Sequence, residues 1–197
     1  MILIGLILLV TIAGEINAQE QLNVMNSVLP SGRSYMGCAE NSVTHKIYCF
    51  GGYIGGSYST NQIVEYDSLS EVLNVVSGSL PLIRFGMACS EDSNLHVLYC
   101  FGGKRDDAIP PIYYNNIFNY ITNISSLNQV TLLPSPRAHM GCAENSATHR
   151  IYCFGGLTAG EISINQTIEY NPNINNLFVK SATLPTPRHG ISCTENS

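Results

Sequence analysis

Gly37-Cys38-Ala39-Glu40-Asn41-Ser42-Val43-Thr44-His45-Lys46-Ile47-Tyr48-Cys49-Phe50-Gly51-Gly52 recurs at Gly141–Gly156 with only two changes, Ala147 for Val43 and Arg150 for Lys46. A diverged copy runs from Gly86 to Gly103 and keeps Cys89, Tyr99-Cys100-Phe101 and Gly102-Gly103. A fourth opens at Gly190 and reaches Cys193-Thr194-Glu195-Asn196-Ser197. The leading cysteines Cys38, Cys89, Cys142 and Cys193 are spaced by 51, 53 and 51 residues. A period of this size means one supersecondary unit per repeat, stacked on its neighbours to bury a shared core.

Other marks hold the same phase. Leu-Pro recurs at 29–30, 80–81, 133–134 and 184–185, followed by Arg33, Arg84, Arg137 and Arg188. Tyr66, Tyr120 and Tyr170 are each followed seven residues later by Leu73, Leu127 and Leu177. Within the first unit the spacing predicts four strands, at Tyr35–Ala39, Ile47–Phe50, Gln62–Tyr66 and Leu73–Val76. These runs are rich in Ile, Val, Tyr and Phe and are bounded by Gly, Asn, Ser and Pro. No segment sustains a 3.6-residue period, so no helix is expected. Tyr48 and Phe50 face one way, Ile47 and Cys49 the other. Two apolar faces suit a sheet packed between two neighbours.

An apolar strand ending in Gly-Gly, then a Tyr, then a large residue, then Leu-Pro before an Arg resembles the kelch motif. The resemblance covers residues 22–197, with Leu73, Leu127 and Leu177 where the family usually has Trp. It implies an all-β fold of four-stranded kelch-type β-propeller blades. The expected organisation is a signal peptide at 1–18 and a kelch-repeat propeller segment at 19–197. Within that segment the last strand of a preceding blade falls at 22–29, where Leu22-Asn23-Val24 matches Leu73-Asn74-Val75. Three blades follow at about 33–80, 84–133 and 137–184, and a fourth starts at 188–197. Three complete blades with partial ones at both ends make an incomplete propeller, so the expectation is a piece of a longer protein. Self-association through open blade edges or Cys193 is the other expectation.

Six of the seven cysteines form pairs 11 residues apart: Cys38 with Cys49, Cys89 with Cys100, and Cys142 with Cys153. Each pair would sit in register on one antiparallel hairpin, where facing cysteines reach disulfide distance. Six cysteines allow 15 connectivities; the repeat favours the local one, with free buried thiols as the alternative. Cys193 is left as an unpaired thiol. No Cys-x2–4-Cys spacing or His pair indicates zinc, so no metal or cofactor is expected.

Ile2–Gly14 is apolar apart from Thr11, about the length of a signal-peptide core and short of a bilayer span, with cleavage placed after Ala18. The expected location is therefore extracellular, which agrees with disulfides. Charged residues are only 12% and net charge is −5 with 9 Lys+Arg, none in a run. That excludes a nucleic-acid partner, which needs clustered cations, and docking of the mature chain on an anionic membrane.

No motif for catalysis stands out. Gly51-Gly52-Tyr53-Ile54-Gly55-Gly56 lacks a following Gly-Lys-Ser/Thr, and no Gly-x-Ser-x-Gly elbow occurs. Glu40, Glu144 and Glu195 repeat at one hairpin position and read as structural or solvated. His45 and His149 fall in hairpin turns and read as solvated. His139 and His189 follow the repeated Arg. Copper radical oxidases of the galactose oxidase type use a similar propeller but need a Tyr–Cys crosslink with His and Tyr ligands. A fragment of such an enzyme, with its catalytic residues outside this chain, and a truncated product without independent function are the alternatives.

The favoured class is a non-catalytic binding module for a protein or a glycan. The loops after each Gly-Gly vary most between copies, and variable loops on a rigid frame carry recognition. They supply Tyr53, Tyr58, Lys104 and Arg105 as binding candidates. Arg33, Arg84, Arg137 and Arg188 are binding candidates too, or they bond backbone carbonyls at the blade junctions. Asn123 and Asn165 open glycosylation sequons.

Overall fold

The computed structural model describes residues 27–56 and 58–195. The expected signal peptide and Leu22-Asn23-Val24 lie outside the described residues. Ser27, Val28 and Leu29 of the strand expected at 22–29 are described and belong to no strand.

The architecture is all-β, with three four-stranded antiparallel sheets in chain order. Sheet one holds β1 (Gly37–Asn41), β2 (Lys46–Phe50), β3 (Gln62–Asp67) and β4 (Val72–Ser79). Sheet two holds β5 (Ala88–Asp92), β6 (Val97–Phe101), β7 (Asn116–Ile121) and β8 (Ser126–Leu132). Sheet three holds β9 (Gly141–Asn145), β10 (Arg150–Phe154), β11 (Thr167–Asn171) and β12 (Asn176–Val179). Each is a meander in which every strand pairs with the next. Among the described residues there is no α-helix, only single 3-10 turns at Thr122–Ile124 and Pro172–Ile174.

The first hairpin of each sheet explains the near-verbatim repeat. Cys38 stands opposite Cys49, Cys89 opposite Cys100, and Cys142 opposite Cys153. All three pairs are disulfide-bonded, with Cα atoms 4.1, 4.2 and 4.1 Å apart. Four-residue turns close these hairpins. Asn41 Oδ1 accepts from the Val43 and Thr44 amides at 3.2 and 3.0 Å, and Asp92 Oδ1 accepts from Asn94 and Leu95 at 3.0 and 3.2 Å. Such side-chain turns are a usual role of Asn and Asp.

Sheet two is apolar on both faces, as the alternation predicts. Leu98, Cys100 and Tyr120 pack against Tyr48, Phe50 and Ile63 of sheet one. Tyr99, Phe101 and Ile117 pack against Ile151, Cys153 and Tyr170 of sheet three. The ring contacts repeat: Phe50 meets Tyr120 edge-on at 5.5 Å, and Phe101 meets Tyr170 edge-on at 5.8 Å. Burial of such rings and aliphatics contributes about 1.5–3 kcal/mol per side chain. On sheet one the Tyr48/Phe50 face packs on sheet two; on the other face Val64 is buried, while Ile47 and Val75 are exposed.

The sheets meet at their first strands. A Cβ on Gly37 would come within 2.7 Å of Cys89 Sγ, and one on Gly141 within 2.6 Å of Cys193 Sγ, so only glycine permits these approaches. Contact weakens toward the fourth strands. The first strands therefore line a common groove from which the sheets fan outward.

The Gly-Gly and Arg marks belong to one joint. The Gly52 amide donates to the Arg84 carbonyl, Gly103 to Arg137, and Gly156 to Arg188, each at 2.9 Å. Three features differ from the expected strands, the first being that the fourth strand of sheet one runs Val72–Ser79 rather than Leu73–Val76. The first strand begins at Gly37 rather than Tyr35, because Tyr35 has a left-handed backbone (φ 56°). The loops after Gly-Gly form short ribbons: Tyr53–Gly55 with Tyr58–Ser59, Lys104–Arg105 with Ile112–Tyr113, and Leu157–Thr158 with Ile162–Ser163. Each ribbon also pairs with the stretch leading into its sheet, through Ser34–Tyr53, Phe85–Lys104 and the Arg137–Ala138 strand.

Candidate functional site

Tyr35, Gly86, His139 and Gly190 occupy one repeat position, just before each first strand. All four have left-handed backbones, with φ of 56°, 67°, 58° and 66°. The reason is a hydrogen-bonded chain across the sheets. The Gly86 amide donates to the Tyr35 carbonyl at 2.8 Å, His139 to Gly86 at 2.7 Å, and Gly190 to His139 at 2.9 Å. Glycine adopts this geometry freely, whereas a residue with a Cβ bears roughly 1–2 kcal/mol of strain. Two of the four positions nevertheless carry large side chains.

Those side chains form part of a cup of about 470 Å³ at the ribbon end of the groove. Phe85 is its buried aromatic wall. Its ring centroid lies 6.0 Å from that of Tyr35 and 5.8 Å from that of His139, and Tyr35 meets His139 edge-on at 5.2 Å. Lys104 and Asp106 come from the second ribbon, Leu157 and Glu161 from the third, and His189 from the segment after it. Three successive repeats and the start of the fourth contribute to one concave surface.

The polar groups of the cup are coupled. Lys104 Nζ lies 3.4 Å from Asp106 and 3.3 Å from Glu161, and 5.5 Å from the Phe85 ring centre. Tyr113 Oη donates to Glu161 at 2.5 Å. That bond, with Lys104 beside it, holds the Glu161 carboxyl below its usual range. Burial, followed by the nearby Lys104 and His189, pushes the His139 imidazole below its ordinary value. His139 is therefore neutral at pH 7, with one donor and one acceptor nitrogen. Ser163 Oγ lies 2.8 Å from His189 Nδ1. Among the described residues no carboxylate hydrogen-bonds His189, so this pair lacks the orienting group of a hydrolytic triad. The arrangement offers apolar faces, a cation and an anion in one concavity, the usual makeup of a binding pocket.

The binding candidates read from the sequence separate clearly. Lys104 lines the cup. The Tyr53 ring packs against Phe85 at 5.3 Å. Tyr58 is exposed at its ribbon, and Arg105 pairs with Asp107 at 3.2 Å. Arg84 and Arg137 are each only 1% exposed, so neither guanidinium reaches a ligand. Arg84 donates to the Gly102 carbonyl at 3.3 Å and stacks on Tyr114 at 4.1 Å; Arg137 donates to Gln166 at 2.7 Å. Burial pushes both down to about 10, so both stay charged at neutral pH. Arg33 makes the same bond to Gln62 at 2.9 Å, while Arg188 is exposed and bonds Thr186 at 2.7 Å. Arg84 thus bonds a backbone carbonyl of the neighbouring loop, whereas Arg137 reaches the Gln166 side chain and the Ser135 carbonyl of its own loop.

At the opposite end of the first strands each glutamate clasps the preceding hairpin. Glu91 accepts from the Ser42 amide at 2.9 Å, Glu144 from the Ser93 amide at 2.9 Å, and Glu195 from the Ser146 amide. Glu40 instead bonds His45 of its own hairpin at 3.0 Å. His149, expected to be solvated, is held by Glu144 at 3.2 Å.

Asn123 is exposed, whereas the Asn165 side-chain amide donates to the Leu184 carbonyl at 3.3 Å, as Asn61 does to Leu80. Cys193 is unpaired and half-buried, and burial pushes its thiol up.

Tyr35, Phe85 and Glu161 were not legible as site residues. The available signal was a bulky residue at a position that is glycine in sister repeats. Comparison with known protein families found no match, and no curated protein shows significant similarity.

Proposed function

We propose that this chain is a kelch-type propeller segment acting outside the cell as a non-catalytic binding module, with the cup as its recognition site. The observation that carries the reading is the left-handed backbone at Tyr35 and His139. Gly86 and Gly190 do the same joining work without strain, so the two side chains are held at a cost that ligand recognition explains. Extracellular placement is supported by the disulfides and by the apolar N-terminal segment. Among the described residues no helix is long and apolar enough to cross a membrane.

A glycan is the ligand class that the cup suits best. Sugar C–H faces pack on the exposed Tyr35 ring, which the buried Phe85 backs, and hydroxyls find donors and acceptors in Lys104, Glu161 and His139. A protein loop is the second class. The oxidase alternative puts its catalytic residues outside this chain, and six of the seven cysteines here are engaged in disulfides rather than free for a crosslink to Tyr.

The test is a glycan array probed with the disulfide-intact chain, alongside Lys104→Gln and His139→Gly. The reading expects hits weakened about tenfold or more by either change, as loss of a buried charged contact implies. Binding that survives both changes, or no binding to any glycan or peptide library, refutes it.

A further inference from the structure

At the far end of the groove from the cup, Asp92, Glu144 and His149 each place a ligand atom within 4.8 Å of the others. The three come from two sheets: Asp92 ends β5, Glu144 lies in β9, and His149 precedes β10. Asp92 is 0% exposed. Its Oδ1 is used by its own hairpin turn, while its Oδ2 is buried with no hydrogen-bond partner. A buried, unpartnered carboxylate oxygen is unfavourable unless a proton or a cation meets it.

The neighbouring junction shows what is different here. There the equivalent residues are Asn41, Glu91 and His96. Asn41 turns its amide nitrogen outward and donates to the His96 carbonyl at 3.1 Å and to Thr122 Oγ1 at 3.2 Å. In the second junction Asp92 replaces Asn41 and Pro172 replaces Thr122. The amide donor becomes an acceptor, and proline has no hydroxyl to offer it. The pattern of Asp, Glu and His therefore occurs at this junction alone of the two.

We propose that Asp92, Glu144 and His149 bind a divalent transition-metal ion, with Zn2+ as the best-fitting case. Two carboxylate oxygens and one imidazole nitrogen suit Zn2+ or Mn2+; Ca2+ and Mg2+ prefer oxygen ligands throughout. His149 Nδ1 and Glu144 Oε1 are already 3.2 Å apart, so a small contraction brings the set around one ion. The Ser93 amide and hydroxyl, at 2.9 and 3.0 Å from Oε1, orient the Glu144 carboxylate, and Oε2, which shares only that amide at 3.0 Å, keeps a lone pair for the ion. Glu144 and Ser93 also line an open cavity of about 440 Å³, which gives an ion a route from solvent. The ion would tie sheet two to sheet three, independently of any ligand in the cup.

Titration calorimetry with ZnCl2 on the disulfide-intact Cys193→Ser chain tests this, since that background removes the free thiol as a competing ligand. MnCl2 is a second probe. Expected is one Zn2+ per chain, with affinity reduced about 100-fold or more in Asp92→Asn and in His149→Ala. Asp92→Asn copies the Asn41 arrangement and is expected to fold; an unchanged circular-dichroism spectrum checks it. No uptake up to about 1 mM, or uptake unaltered in Asp92→Asn, overturns the proposal. A protonated-carboxyl infrared band that disappears in Asp92→Asn, with no Zn2+ uptake, would likewise overturn it by assigning a proton to Asp92.

Discussion

Replacing His139 by glycine separates a side chain kept for recognition from one kept for structure. The change removes the strain of a left-handed backbone (φ 58°), roughly 1–2 kcal/mol. It also removes ring contacts with Tyr35 at 5.2 Å and Phe85 at 5.8 Å, each about 0.5–1.5 kcal/mol at most for a half-buried ring. The two terms nearly cancel. His139→Gly is therefore expected to lie within about 1 kcal/mol of the parent, a midpoint shift of about 2–4 °C at most for a chain of this size. Gly86→Ala is the control. Its new Cβ would meet the His139 ring at 2.7 Å on a left-handed backbone, and a loss of more than about 2 kcal/mol is expected. Guanidinium unfolding with the disulfides intact measures both. If His139→Gly costs more than about 2 kcal/mol, the imidazole is a structural member of the joint, and the argument from strain to recognition fails.

Four further outcomes follow from the same geometry. Arg84→Ala should destabilise by about 3 kcal/mol or more by denaturant titration, and Arg84→Met should recover over half of that, because its volume returns without a charge to desolvate. Removing Cys89 and Cys100 together should cost about 3 kcal/mol, the loop-closure value for residues 11 apart, with calorimetry as the readout. Asn165→Gln should lower stability by about 1 kcal/mol through the lost Leu184 bond, whereas Asn123→Gln should be neutral and should remove a glycan seen by mass spectrometry. The His139 imidazole is held below its unfolded value, so its neutral form is favoured by folding. The stability it contributes is complete above about pH 6.5 and is lost as pH falls toward the folded value. His139→Gly should flatten the stability profile over that window.

Much of the frame is legible because the repeat states it several times. Gly-Gly ends, period-two alternation and cysteines 11 apart place the second and third strands of sheet one within a residue of their observed limits. The local disulfides follow from the same register. What a single repeat cannot show is what another repeat brings to it. Arg84 reads equally well as a loop cation or as a junction bolt until Gly102 and Tyr114 are seen around it. In sequence the ribbons read as plain loops because their strands are two or three residues long, too short for any periodicity. The cup draws on positions 35, 85, 104, 139, 161 and 189, which become neighbours only when three units and the start of a fourth stand side by side. Asp92 likewise reads as a turn residue, and only the Asn41 comparison shows that one of its oxygens lacks a partner. The Tyr35 case is different. A non-glycine at a position occupied by Gly86 and Gly190 was visible in the sequence, but its meaning depends on the backbone angle.

Each sheet has its first hairpin bridged by its own cystine and packs beside the next in chain order. Peptide mapping of the unreduced, alkylated chain tests this arrangement most directly. Expected are three linked peptide pairs, Cys38 with Cys49, Cys89 with Cys100 and Cys142 with Cys153, and an alkylated Cys193. A link between repeats, such as Cys38 with Cys89, or alkylation of all seven cysteines would contradict the hairpin register on which every later step depends.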